Sequence, residues 1–191
     1  MGASAKPDTS LKGQLLIAMP TMSDERFART VIYMCAHSPA GAMGLVVNRL
    51  IDSISFPALL KQLEIDLPAP TRDIRIHFGG PVESGRGFVL HSADYDGDST
   101  LKIDGDIGLT ASIGVLRDIA TGTGPTRSLF ALGYAGWGPG QLDGEIQANA
   151  WLHVSADPEL LFNADLEQKW DLAVRKIGFD VSLLSSQAGR A

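Results

Sequence analysis

The sequence predicts an α+β fold in a single domain, and three observations carry that reading. Short apolar, β-branched runs such as Thr30 to His37 and Ala42 to Asn48 flank turn chemistry, here Ser38-Pro39-Ala40-Gly41, which is the pattern of a hairpin. Amphipathic segments with i, i+3, i+4, i+7 apolar spacing are scattered among these runs instead of alternating with them regularly. The chain has 191 residues and no internal repeat, low-complexity tract or linker, so one buried core accounts for its length.

Each element follows in chain order. Met1 to Ser10 is small and polar and is expected to be a flexible tail, with residues 11–191 forming the domain. Gln14 to Met19 reads as a strand stopped by Pro20, and the hairpin follows. A helix opens at Ser55 as N-cap, with Pro57 in its first turn and Phe56, Leu59, Leu60 and Leu63 on one face. Pro68 and Pro70 are expected to end it. Asp73 to Phe78 and Phe88 to His91 read as strands joined through two glycine turns, and Ser99 to Ile103 as another between Asp96-Gly97 and Asp104-Gly105. Ser112 caps a helix running to Ala120 and ended by Gly122. Leu129 to Tyr134 is a strand, and a helix opening at Pro139 carries Leu142 and Ile146 on one face. Trp151 to Val154 is a late strand, and Asp157-Pro158 starts a short helix. The last helix, Asp165 to Ile177, buries Leu166, Trp170, Ala173, Val174 and Ile177 before Gly178 stops it.

Composition narrows the function classes. The formal net charge is −6, and the arginines are dispersed without aromatic interleaving, so binding to a nucleic acid backbone is disfavoured. Cys35 is the only cysteine, which fits a reducing compartment. Leu15 to Met19, the longest apolar run near the N-terminus, is too short for a signal h-region or a membrane span. A cytoplasmic protein without a membrane role is expected.

The glycines are the most informative residues. They crowd Gly41 to Gly44, Gly79-Gly80, Gly85 to Gly87 and Gly133 to Gly140. Such clusters mark close backbone approaches or left-handed turns. None completes an enzyme signature. Pro139-Gly140-Gln141 stands where a P-loop needs Lys and Ser or Thr, and Gln141 stands where a dinucleotide fingerprint from Gly136 needs glycine. Asp94 to Asp98 opens like a calcium loop but lacks its glycine and final glutamate. Thr110 occupies the first glycine position of a G-x-S-x-G around Ser112. The histidines show no metal-ligand spacing, so neither a metal nor a cofactor is expected.

Taken together, these motifs resemble the YqgE/AlgH family of bacteria. The resemblance rests on Gln14 to Pro20, Tyr33 to His37, Gly41 to Arg49, Gly79 to Val82, Arg86 to His91, Gly133 to Leu142, Asn149 to Leu152 and Lys169-Trp170, in the family's order from Leu11 onward. It implies a single α+β domain with a mixed, branched or partly barrel-like β-sheet flanked by helices. It implies no catalytic residue and no cofactor, and members often carry the label of transcriptional regulators. Leu50 departs from the proline many members have after Asn-Arg, and Gly144 replaces a better helix former.

The candidate binding residues are Asn48, Arg49, Gly79, Gly80, Arg86, His91, Trp137, Gln141 and Glu145. Trp137 would be an apolar wall, with Gln141 and Glu145 beside it at i, i+4 and Asn149 extending that face. Arg86 would offer a guanidinium to a phosphate or carboxylate. The pattern itself favours close packing of strand against helix under Trp137 as the reason for these glycines, and a surface turn with an exposed or paired arginine as the reading of Arg86. The Cys35 and His37 pair invites a nucleophile, but the apolar run around Cys35 favours a buried, inert thiol. The expected function is non-enzymatic binding of a small ligand or protein partner. The alternatives are a hydrolase or transferase for a phosphorylated or acyl substrate, with His91 or Glu145 as general base, and a DNA-binding regulator, which the acidic charge disfavours.

Overall fold

The computed structural model describes residues 10–66 and 74–178. The expected tail, apart from Ser10, and the expectations for Pro68, Pro70 and Asp73 lie outside them.

Among the described residues, nine strands form one sheet in the order β6-β7-β5-β8-β3-β2-β1-β9, with β4 attached to β8 off that path. They are β1 (Gln14–Ala18), β2 (Val31–Ser38), β3 (Gly41–Val46), β4 (Ile76–Phe78), β5 (Val82–Ser92), β6 (Thr100–Lys102), β7 (Ile107–Thr110), β8 (Ser128–Trp137) and β9 (Trp151–Ser155). The helices are α1 (Phe56–Gln62), α2 (Ile113–Thr121), α3 (Gln141–Gln147) and α4 (Lys169–Ile177), with a π-helical turn at Glu159–Asn163. All pairings are antiparallel except β4 with β8. The sheet curls into a half-barrel flanked by helices, the α+β architecture that the sequence predicts.

The sheet branches at β8. One edge of β8 bonds β5, while the other bonds β4 through Phe130 to Leu132 and β3 through Ala135 to Trp137. Gly79 stitches the fork: its N–H donates to the Leu132 carbonyl at 2.8 Å, and its own carbonyl accepts from Val46 N–H at 2.8 Å. Three backbone segments meet there with no space for side chains. A Cβ on Gly79 would lie 2.2 Å from the Gly133 carbonyl oxygen, and one on Gly80 2.1 Å from the Tyr134 carbonyl carbon. Gly133 turns β8 at the fork with φ +74°, a conformation that glycine adopts at little cost.

Strand β2 shows why Val31 to Cys35 is continuously apolar: it is buried on both faces. Val31, Tyr33 and Cys35 join the largest core cluster, with Leu15, Leu45, Leu90, Leu129 and the α4 residues Trp170, Ala173 and Val174. Ile32 and Met34 face a second cluster with Leu16, Trp137 and Trp151. A third cluster packs α1 and α2 against Ile76, Val89 and Phe130. Trp170 anchors α4 by donating its indole N–H to the Ala18 carbonyl at 2.9 Å.

Several expectations need correction. Gly79-Gly80 connects β4 to β5 as expected, with both strands paired to β8 and not to each other. Gly85-Arg86-Gly87 belongs to β5, in a bulge where residues 83–86 sit opposite Gly133 alone. Strand β7 was missed, because its Ile-Gly-Leu-Thr is too short to show periodicity. α3 starts at Gln141 instead of Pro139, behind a left-handed Gly140, and Asn149 lies beyond its end at φ +61°. α4 starts at Lys169 instead of Asp165, leaving Leu166 only half-buried in a turn. Ser55 caps α1 by accepting from Ala58 N–H, but Ser112 makes no such bond at α2.

Candidate functional site

Most of the sequence-predicted binding residues turn out to hold the fold together. The Asn48 side-chain oxygen accepts from Val31 N–H at 2.9 Å, and its amide donates to the Arg29 carbonyl at 2.9 Å. Arg49 spends its guanidinium on the carbonyls of Glu25, Arg26 and Ala28, so it closes the turn ahead of β2. Gly79 and Gly80 form the fork. His91 is fully buried: Nδ1 bonds the Ser92 carbonyl at 2.8 Å and Nε2 bonds Thr110 Oγ1 at 2.8 Å, with Tyr95 edge-on to its ring. With both nitrogens occupied inside the protein, His91 cannot reach a substrate proton without rearrangement.

Gln141 is exposed, and its Oε1 accepts from Gly138 N–H at 3.0 Å, which closes the turn into α3. Glu145 is half-buried, and its Oε2 is enclosed without a hydrogen-bond partner among the described residues. Neither lines the cavity that Arg86 lines. Cys35 is 1% exposed, and burial pushes its thiol up to about 12, so the thiolate that nucleophilic chemistry needs is suppressed. Asp94 is engaged by Ser92 and Thr126, tying the end of β5 to the segment before β8. Among the described residues, no cluster of three or more His, Cys, Asp or Glu side chains could hold a metal.

Arg86 and Trp137 do come together, in an open groove of about 740 Å³ on the half-barrel. Its floor and walls are apolar: Met43, Val82, Phe88, Leu101, Leu109 and Tyr134. Phe88 and Leu109 belong to the main core cluster and Met43 and Tyr134 pack against it, so the groove is the solvent-facing end of that core. Val82 is 37% and Leu101 51% exposed, which leaves large apolar side chains in water. Arg86, raised on the β5 bulge, lies over the Phe88 ring at 5.1 Å and 3.5 Å from Glu83. Bulges commonly re-aim a side chain in this way. The remaining wall is β3, where Gly41 and Gly44 admit close neighbours: a Cβ on Gly41 would be 2.6 Å from the Trp137 carbonyl oxygen.

The groove residues that sequence reasoning missed are Met43, Val82, Leu101, Leu109 and Tyr134. Each looks like an ordinary strand residue; Met43, Val82 and Tyr134 lie in or beside a glycine cluster, and Leu101 and Leu109 carry no such signal. Their convergence depends on pairing β8 with both β3 and β5, which no local pattern reveals.

Comparisons with known proteins agree with this architecture. Residues 15–182 match the family described as DUF179, AlgH-like. A UPF0301 protein of Afipia carboxidovorans is 56% identical over 197 aligned residues, covering 99% of this chain and 94% of its own. One from Rhodospirillum rubrum is 52% identical, covering 97% of both. The solution structure of AlgH from Pseudomonas aeruginosa superposes with a TM-score of 0.79 at 46% identity, over 97% of this chain and 98% of that one. A crystal structure from Corynebacterium diphtheriae shares the fold, with a TM-score of 0.70 at 23% identity over 91% and 90% of the two chains. With the forked half-barrel now matched over nearly its full length, this chain belongs to the AlgH-like family.

Proposed function

We propose that this chain is a non-catalytic binding protein that takes an apolar ligand segment, from a small molecule or a protein partner, in the groove beside Arg86. The observation that carries this reading is the groove itself: exposed apolar side chains on a rigid sheet, with one guanidinium beside them. Arg86 suits a ligand that carries a carboxylate or phosphate next to its apolar part. The burial of His91 and Cys35 supports a binding role over hydrolysis or transfer. A cytoplasmic setting belongs to the same reading. Direct binding to DNA is disfavoured by the net charge of −6 and because Arg26, Arg29, Arg86 and Arg127 each sit within 4 Å of a carboxylate.

The test is an NMR titration with octanoate and with an acetylated apolar heptapeptide, following amide signals across the chain. Saturable shifts are expected at Met43, Val82, Leu101 and Tyr134. Val82→Lys and Leu101→Lys change exposed side chains and leave the fold intact. Each should weaken binding at least about tenfold, or about 1.4 kcal/mol. Equal affinity in the doubly substituted protein would remove the groove as the site.

A further inference from the structure

A second cleft, of about 300 Å³, lies elsewhere on the molecule and has the opposite character. It opens where β4, the start of β8, the π-helical turn and the first residue of α4 meet. Arg75, His77, Thr126, Arg127, Ser128, Asn163 and Lys169 supply its polar lining, and among the described residues no Asp or Glu lines it. In a chain of net charge −6, this gathers positive charge at one cleft, where among the described residues Arg127 has a carboxylate partner in Glu159 and Arg75 and Lys169 have none.

Lys169 is the decisive residue. It is 1% exposed, and its ammonium donates to two neutral acceptors, the Val47 carbonyl at 3.0 Å and the Leu161 carbonyl at 2.8 Å. An ammonium has three donors, and among the described residues no carboxylate lies within ion-pair distance of this one. Buried charges are normally paired. Arg75 adds a second positive charge nearby and makes no ion pair among the described residues, whereas Arg127 is balanced by Glu159 at 3.1 Å. Burial, with the Arg75 charge behind it, pulls the Lys169 ammonium down to about 8, the direction expected of a cation lacking its counter-charge. Burial likewise pulls His77 down to about 4, so near neutral pH its ring is uncharged, with Nδ1 donating to the Phe130 carbonyl at 3.0 Å. Phe162 and Leu166 give the cleft an apolar side, with space beyond a bare ion.

We propose that this cleft binds a small organic anion, a phosphate monoester or a carboxylate, whose charged end pairs with Lys169 and Arg75 and whose body rests against Phe162 and Leu166. Charge-assisted hydrogen bonds from a guanidinium and an ammonium in a partly enclosed site are the strong kind. The site is separate from the apolar groove and does not depend on it.

Phenyl phosphate and benzoate are the probes, titrated into the full chain in phosphate-free buffer by calorimetry and by amide shifts. Millimolar or tighter binding is expected, with shifts at His77, Ser128, Asn163 and Leu166. The tighter of the two probes identifies the anion class. Arg75→Gln changes an exposed side chain and should weaken binding at least about tenfold. Arg26→Gln, at a position that lines neither cleft, should leave it unchanged. Lys169→Gln should abolish binding; because Lys169 also ties down two carbonyls, the Arg75 and Arg26 variants make the decision. Absence of binding by either probe below about 10 mM, or an Arg75→Gln affinity equal to that of the unaltered chain, would overturn the proposal.

Discussion

Replacing Gly79 or Gly133 by alanine tests whether these glycines build the sheet fork or serve a ligand. A Cβ on Gly133 would sit 2.3 Å from the Gly80 carbonyl oxygen, and one on Gly79 2.2 Å from the Gly133 carbonyl oxygen. Both obstacles are backbone atoms, so no rotamer change can relieve the clash. Forcing a side chain into packed surroundings costs about 1–3 kcal/mol. At Gly133, φ +74° adds about 1–2 kcal/mol for a residue with a Cβ. The expected loss is about 2–5 kcal/mol for Gly133→Ala and somewhat less for Gly79→Ala. For a domain of this size, each kcal/mol moves the melting temperature about 2–4 °C, so Gly133→Ala should melt about 4–20 °C lower. Gly144→Ala is the control. It lies in α3 with nothing within 4 Å of an added Cβ, and removing a helical glycine should raise stability by about 0.5–1 kcal/mol. Thermal melts of the three variants and the unaltered chain decide the matter. If Gly79→Ala and Gly133→Ala both melt within about 2 °C of the unaltered chain, the fork is not sterically closed and the packing argument fails.

Two further outcomes follow from buried titratable groups. His77 is 6% exposed, and its folded-state value near 4 lies below the ordinary 6.5. Between those values the unfolded chain binds a proton that the folded chain does not, so stability must fall as pH drops from 6.5 toward 4, by up to about 3 kcal/mol. Urea titrations across that window should show a steeper decline for the unaltered chain than for His77→Gln, and parallel curves would contradict the burial of this ring. Cys35, with its thiol held near 12, should resist iodoacetamide at pH 8 in the folded protein and react readily in urea. Rapid labelling without denaturant would show that the core opens around β2.

Much of the fold was legible because it is written in local chemistry. The β2–β3 hairpin follows from two β-branched runs around Ser38-Pro39-Ala40-Gly41, and α1 from its Ser55 cap and apolar spacing. The left-handed Gly122 and Gly178 end α2 and α4, as glycine there predicts. Boundaries were less legible. β8 runs through Gly133 to Trp137 because those glycines bond to β3 and β5, a partnership that overrides their poor strand propensity.

Of the candidate site, the sequence determined little beyond Arg86 and Trp137. Asn48, Arg49 and His91 carry polar groups that suit a ligand, yet the fold directs each toward its own backbone or a neighbouring side chain. Whether a polar group serves the protein or a visitor depends on which backbone atoms lie within 3 Å of it, and sequence spacing does not encode that distance. Lys169 shows the same limit. In the sequence it sits beside a core tryptophan as an ordinary helical lysine. Only tertiary structure turns it inward, against Val47 and Leu161 and beside Arg75, because the π-helical turn and α4 close over the branched sheet. The sequence determined the kinds of element and their order. The joining of β3, β4 and β5 around β8 decided where apolar surface stays exposed and where positive charge collects, because both depend on contacts between residues far apart in the chain.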